Sequence, residues 1–233
     1  MKKHLLSAFL FLCAFGVSNA QFPSALSTRI QEFLDSANAD NQFRGLSVGV
    51  YVPGLGHWSG SSGYSPFDVK TRPDQYFNMG SNTKTYMAAL FLVLQEKGEL
   101  DLDDSIGTWV SGKRNINGAI TIRQCLNHRS GLRDYMEYPN INDSIFDNPS
   151  KIWTTDEMLS VVGTAHFLPN NNFRYSNTNY IILAAILENK YQKAWNQVLN
   201  EELLLPLGLT NTYYYFDLPD SLSIAHPWSM NIN

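Results

Sequence analysis

Between residues 46 and 65 the chain carries one β-hairpin pattern, and from residue 84 to 205 its apolar spacing is helical. That order limits the fold more than any other feature of the sequence. Leu46-Ser47-Val48-Gly49-Val50-Tyr51-Val52 reads as a strand, Pro53-Gly54-Leu55-Gly56 as a turn, and residues 57–65 as a returning strand. A two-stranded hairpin is marginal alone and needs further strands or a covering helix. Just upstream, Leu26, Ile30, Phe33 and Leu34 pattern a helix over 26–38. Up to Trp228-Ser229-Met230-Asn231-Ile232-Asn233 the sequence patterns no further strands for the hairpin. Either the hairpin packs on helix 26–38, or the sheet is incomplete within this sequence.

The helical block is better specified. Lys84 to Lys97 places Met87, Leu90, Phe91 and Leu94 on one face, with Gly98 as a stop. Leu102 and Ile106 anchor a short piece beyond it. Thr121-Ile122-Arg123-Gln124 is a capping-box pattern opening a helix that Gly131 can close, and Thr154-Thr155-Asp156-Glu157 offers a second box. Residues 178–189 form an apolar helix through Ile181, Ile182, Ala185 and Ile186. Residues 192–205 form another, ended by Pro206 and Gly208. The expected fold class is α+β. Residues 21–70 begin an α/β domain, 71–215 form a mainly helical domain, and 216–233 start an incomplete return to the sheet.

Residues 1–20 read as a secretory signal peptide. Lys2 and Lys3 form its basic start, Leu5 to Val17 its apolar stretch, and Ser18-Asn19-Ala20 the small residues before a cut at Gln21. The apolar stretch is short of the ~20 residues that span a bilayer; a retained membrane anchor is the alternative. A lipoprotein anchor at Cys13 lacks small residues in Leu10-Phe11-Leu12. The expected location is the periplasm or the outside of the cell. Removing the leader takes the formal charge from −4 to −6 and leaves Cys125 without a partner cysteine. Cys125 could be a reactive thiol, but its apolar-spaced helical setting favours a small buried hydrophobe. No Lys/Arg run exists to neutralise phosphates, so no nucleic-acid partner is expected. No metal is expected either, because the histidines lack metal-ligand spacing.

Two short segments can carry chemistry. In Met79-Gly80-Ser81-Asn82-Thr83-Lys84, Ser81 and Lys84 stand three apart at a helix start, so the amine can reach the hydroxyl. Serine is a weak nucleophile at neutral pH and needs a base. The helix N-terminus favours developing negative charge. Alone, the same tetrad reads as a helix-capping Ser81 and a solvated Lys84. In Tyr175-Ser176-Asn177, a nearby ammonium could lower the phenol from its usual value near 10. The Asn177 amide can both donate to and accept from a substrate amide. Alone, Tyr175 is one of 12 tyrosines and Asn177 a helix cap.

Together the segments resemble the serine β-lactamase and penicillin-binding protein family. Ser81-Asn82-Thr83-Lys84 is similar to its S-x-x-K motif. The stretch Glu99-Leu100-Asp101-Leu102-Asp103-Asp104 resembles the segment after that helix. Residues Ile120 to Leu132, with His128-Arg129-Ser130-Gly131-Leu132, resemble T-I-R-x-L-L-x-H-x-S-G-L. Phe173 to Tyr180 resembles the Y-S-N motif, and Pro206 to Thr212 a P-L-G-M-x-x-T segment. These matches stand in the family's order, and Y-S-N points to its class C β-lactamase and D-alanyl-D-alanine carboxypeptidase branch, which includes esterases.

The resemblance implies roles. Ser81 attacks the carbonyl and forms an acyl-enzyme, with its backbone N–H as half of the oxyanion hole. Lys84 takes or relays the proton. Tyr175 acts as base with Lys84 and as acid toward the leaving group, and Asn177 orients Lys84 and the substrate amide. His128 is expected to be buried, hydrogen-bonded and without a chemical role. No cofactor is implied. The implied substrates are D-alanyl peptides of peptidoglycan, β-lactams or small esters. A third family motif, K-T-G or H-x-G on a strand near the C-terminus, is not found in these 233 residues, and Pro169 is followed by Asn170-Asn171-Asn172 where Pro-Gly is common. The expectation is a C-terminally truncated member, covering about the first two-thirds of the domain. It is either a serine hydrolase or a catalytically dead remnant that binds cell-wall peptide.

Overall fold

Alternation of small, β-branched and aromatic residues makes Gly45–Val52 a strand (β1), which turns through Gly54 and Gly56 into β2, Gly56–Ser65. The two are antiparallel, with Val50 opposite Trp58 and Tyr51 opposite His57. A two-residue strand, Val69–Lys70 (β3), extends the sheet on the far side of β2. The computed structural model describes residues 22–39, 44–65, 69–139, 141–148, 150–214, 217–219 and 222–225. The leader at 1–20 and the tail from Trp228 to Asn233 lie outside the described residues.

The helix expected over 26–38 is α1, Ser24–Ala39. It packs on β2. Gln31 Nε2 donates to Ser61 O at 3.0 Å, and Ser62 Oγ donates to Asp35 Oδ1 at 2.7 Å. Of its apolar face only Leu34 is buried, whereas Phe33 is 71% exposed. Phe33 is therefore not the core residue its spacing suggests. Residues 76–77 (β4) pair in parallel with Ile224–Ala225 (β5), in a two-stranded sheet separate from the hairpin. These elements belong to one unit, made of the described residues up to Asn78 and from Pro219 to Ala225.

The second unit, residues 79–218, holds the main apolar core. Helix α2, Thr83–Glu96, buries Met87, Leu90, Phe91 and Leu94, the face its spacing marks. Short helices α3 (Ile122–Leu126), α4 (Ile141–Phe146) and α5 (Thr155–Ser160) follow. Both expected capping boxes form, at Thr121 with Gln124 and at Thr154 with Glu157. Helix α3 is shorter than expected. It stops at Leu126, His128 takes a left-handed φ of 58°, and Gly131 lies beyond it, outside the helix, with a φ of 79°.

Helix α6, Thr178–Tyr191, runs through the middle of the core. The six residues from Ile182 to Leu187 are all buried, so it is enclosed on every side rather than on one stripe. It ends at Gln192, in the left-handed region. The stretch expected as one helix over 192–205 is a five-residue helix, α7 (Trp195–Leu199), continued by a π turn, Asn200–Leu204, that buries Leu203 and Leu204. Cys125 is fully buried, and desolvation pushes its thiol far above the usual range. It packs as a small apolar group. Among the described residues no helix is long and apolar enough to cross a membrane.

Candidate active site

Ser81 lies in a single 3-10 turn, Gly80–Asn82, that feeds into α2. Gly80 enters the turn at φ +50°, which favours glycine. Thr83 Oγ1 donates to Gly80 O at 2.8 Å and holds the turn shut. No side chain caps this turn or α2. The Ser81 hydroxyl is instead engaged across the fold: it shares a 2.8 Å hydrogen bond with the Tyr175 hydroxyl and accepts from Lys84 Nζ at 3.3 Å. The capping reading of Ser81 is thereby set aside.

Lys84 sits on the first turn of α2, on the same face as Ser81. Its Nζ donates to Asn177 Oδ1 at 2.8 Å and lies 5.0 Å and 5.5 Å from the ring centres of Tyr175 and Tyr180. Two aromatic faces and an amide oxygen thus hold an amine that would otherwise wave in water. Asn177 occupies the N-cap position of α6, but its backbone is already helical and its side chain makes no cap bond. Its Oδ1 also accepts from Tyr175 OH at 3.4 Å. The four residues singled out in the sequence therefore meet in one cluster, drawn from the starts of α2 and α6.

Tyr175 is 45% exposed, open to an incoming molecule. Partial burial pushes its phenol up. Hydrogen bonding from Lys84 and Ser81, with the charge of Lys84, outweighs this and brings the phenol below the usual tyrosine range. The Asp134 carboxylate pulls weakly the other way. A phenol lowered in this way, 2.8 Å from a serine oxygen, is suited to take that oxygen's proton.

Around this cluster stand residues that the sequence did not mark for the site. The His128 ring stacks on Tyr175 at 4.5 Å between centroids and 29° between planes. It is half-buried rather than buried. Its Nδ1 accepts from the Ser176 N–H at 3.2 Å and lies 3.2 Å from Asn179 Nδ2. That pattern leaves the proton on Nε2. Desolvation, and then the charge of Lys84, lowers its pKa against a small opposite pull from Asp134. Ser130, behind it, donates to Asn179 Oδ1 at 2.5 Å and accepts from the Leu132 N–H. Ser130 and Asn179 are almost wholly buried, so their polar atoms need these partners. Asp134 accepts from both the backbone N–H and Nδ2 of Asn177, each at 2.8 Å. Its only local signal is that it precedes a 3-10 turn, Tyr135–Glu137, which it caps through the Met136 N–H. Among the described residues, no His, Cys, Asp or Glu side chains are grouped to hold a metal ion.

A family model described as Beta-lactamase matches residues 28–231. The chain belongs to the β-lactamase family. Penicillin-binding protein 4* of Bacillus subtilis (strain 168) is similar to it at 28% identity, over 80% of this chain and 41% of that protein. Among solved structures, the D-amino acid amidase of Ochrobactrum anthropi SV3, in complex with L-phenylalanine amide, superposes with a TM-score of 0.72 at 27% identity. That match covers 84% of this chain and 55% of the amidase. A D-stereospecific amidohydrolase from Streptomyces sp. superposes with a TM-score of 0.67 at 28% identity, covering 80% and 55%. This β-lactamase-family chain thus spans about two-fifths of its curated relative and about half of each solved structure. Its fold is of the β-lactamase and transpeptidase type.

Proposed function

We propose that this chain is a serine hydrolase that forms an acyl-enzyme on Ser81. The observation that carries the reading is the closed set of contacts from Ser81 Oγ to Tyr175 OH and Lys84 Nζ, and from Lys84 on to Asn177 Oδ1. Tyr175, in its phenolate form, takes the Ser81 proton as Oγ attacks the carbonyl carbon. A C–O bond forms, and the negative charge on the carbonyl oxygen is met by the N-terminal end of α2. When the tetrahedral adduct collapses, the C–N or C–O bond to the leaving group breaks, and the Tyr175 proton passes to the departing amine or alkoxide. Water then attacks the ester, gives its proton to Tyr175, and Ser81 recovers that proton as the acid leaves. Lys84 keeps the phenol acidic throughout, and Asn177 keeps Lys84 in place.

The likeness to a penicillin-binding protein and to amidases named for D-amino acids supports amide substrates with a D-configured residue. D-alanyl peptides of peptidoglycan fit best; β-lactams and small esters present the same kind of carbonyl. A secretory leader at 1–20 would bring the protein to that substrate in the periplasm or outside the cell.

The test is covalent labelling of the purified chain with a fluorescent penicillin or a fluorophosphonate, read by intact mass, with Ser81→Ala as control. One adduct per chain, absent in Ser81→Ala, is the expected result. No adduct from a chain that circular dichroism finds folded would overturn the reading and leave peptide binding without catalysis.

A further inference from the structure

We infer that Asp134 is a positioning residue: its carboxylate fixes the orientation of the Asn177 amide and, through it, the place of the Lys84 amine beside Ser81. This rests on the acyl-transfer reading of the same site.

The argument begins with donors and acceptors. An ionised carboxylate only accepts, whereas a primary amide has one accepting and one donating end. Asp134 Oδ2 receives both the backbone N–H and Nδ2 of Asn177 at 2.8 Å, so it selects the donating end of the amide. The accepting end must then face the other way, and there Oδ1 receives Lys84 Nζ at 2.8 Å. Rotating the amide by half a turn would set Oδ1 against the carboxylate and Nδ2 against the amine. Both bonds would be lost and two like partners would meet. The lysine has a long flexible stem and no planar fork of its own, so its place depends on what its amine can donate to. Of the oxygens it reaches, Asn177 Oδ1 is nearer than Ser81 Oγ.

Asp134 is itself held on both sides. The Thr178 hydroxyl, fully buried at the first residue of α6, donates to Arg133 O and accepts from the Tyr135 N–H, both at 2.8 Å. Asp134 Oδ1 takes the Met136 N–H at 3.0 Å. The residues flanking Asp134 are thus fastened to the same helix start that carries Asn177. The loop and the amide are tied to each other at one helix start.

The test is a double-mutant cycle on the labelling rate of the full chain with a fluorophosphonate. The variants are Asp134→Asn, Asn177→Ala and the two combined. Asp134→Asn keeps the shape of the side chain but has one accepting oxygen for the three N–H groups that Asp134 now serves. It is expected to slow labelling by about tenfold to a hundredfold, the order that a small misplacement of a catalytic group costs. In the Asn177→Ala background the same substitution should change little. An equal fold-loss in both backgrounds would overturn the inference.

A second readout needs no activity: ¹³Cζ-tyrosine titration, with Tyr175 assigned by Tyr175→Phe. The charged or titratable groups that face this phenol are Lys84, Asp134, His128 and Tyr180. In Asp134→Ala the Tyr175 midpoint should rise, because Lys84, the larger influence, leaves its place. Loss of the carboxylate's charge alone would lower it, so a fall or no change overturns the inference. A wild-type chain that does not label at all would sink the acyl-transfer reading, while the titration would still judge the role of Asp134.

Discussion

The hydroxyl of Tyr175 stands 2.8 Å from the hydroxyl of Ser81, although 94 residues separate them in the chain. In the proposed acyl transfer, the proton that leaves Ser81 therefore has a receiver already in hydrogen-bond contact, and no rearrangement precedes attack. Tyr175→Phe removes that receiver while keeping the ring on His128. Labelling of Ser81 by a fluorophosphonate should slow by about 10²–10⁴-fold, the usual worth of a positioned base. In the wild-type chain the labelling rate should climb with pH along the ionisation of Tyr175, at a midpoint below the ordinary tyrosine value near 10. A stopped-flow pH profile checks both expectations.

His128 gives the fold an acid-sensitive spot. Desolvation, then Lys84, holds its pKa below the usual histidine value near 6.5, with Asp134 opposing. The unfolded chain accordingly binds this proton more readily than the folded one. The stability tied to neutral His128 is complete above about pH 6.5 and is lost as the pH falls through the folded midpoint. Urea midpoints should therefore drop on acidification across that window. His128→Asn tolerates the left-handed backbone and offers an oxygen to the Ser176 N–H, so it should flatten the drop.

Glu157 adds a second acid response from another part of the same unit, the capping box of α5. The backbone N–H of Thr154, then Lys151 and the Thr154 hydroxyl, hold its carboxyl at about 2. A depressed carboxyl contributes stability that is whole above the unfolded value and is lost as pH falls toward the folded one. A ¹³C carboxyl titration should place Glu157 at the low end of the glutamates. Glu157→Gln keeps an oxygen for the cap and should remove this part of the acid loss.

Gly131 cannot be replaced cheaply. It holds φ +79°, and a Cβ there would stand 2.0 Å from Phe167 O. The same residue accepts the His166 N–H at 2.8 Å through its carbonyl, so the clash cannot be relieved without parting two segments of chain. Gly131→Ala should destabilise the fold by about 2–4 kcal/mol, measured by chemical denaturation.

Much of the site was readable through the ordered resemblance to the serine β-lactamase and penicillin-binding protein family, since each of its local segments alone reads equally as a helix cap. Ser81 and Lys84 share a helix face through three-residue spacing, and Tyr175 and Asn177 sit two apart before a strongly apolar helix. The buried face of α2 and both capping boxes follow from patterns of four to eight residues. Asp134 was not readable, because its meaning lies in an amide 43 residues away. Nothing in the residues around it distinguishes a carboxylate that orients a side chain from one that caps a turn; it does both. The stop of α3 was misjudged for a related reason. Gly131 has the left-handed backbone of a helix stop, but it spends it on the close approach to Phe167, and the left-handed residue that follows α3 is His128. Phe33 fits a helical stripe, yet on α1 Leu34 is the buried apolar residue, and polar contacts from Gln31 and Asp35 reach β2.

Helix α6 is enclosed along its middle, and its start carries Asn177 at the N-cap and the Thr178 hydroxyl that fastens the Asp134 loop. Chemistry and core are in this way mounted on one beam. Heating cannot slacken the surroundings of the proposed nucleophile first and the interior later, because withdrawing Thr178 from its partners means withdrawing the helix that fills the interior. Inactivation and melting of residues 79–218 should then be a single event with one midpoint, and a partly denatured chain with a working Ser81 should have no temperature range in which to exist.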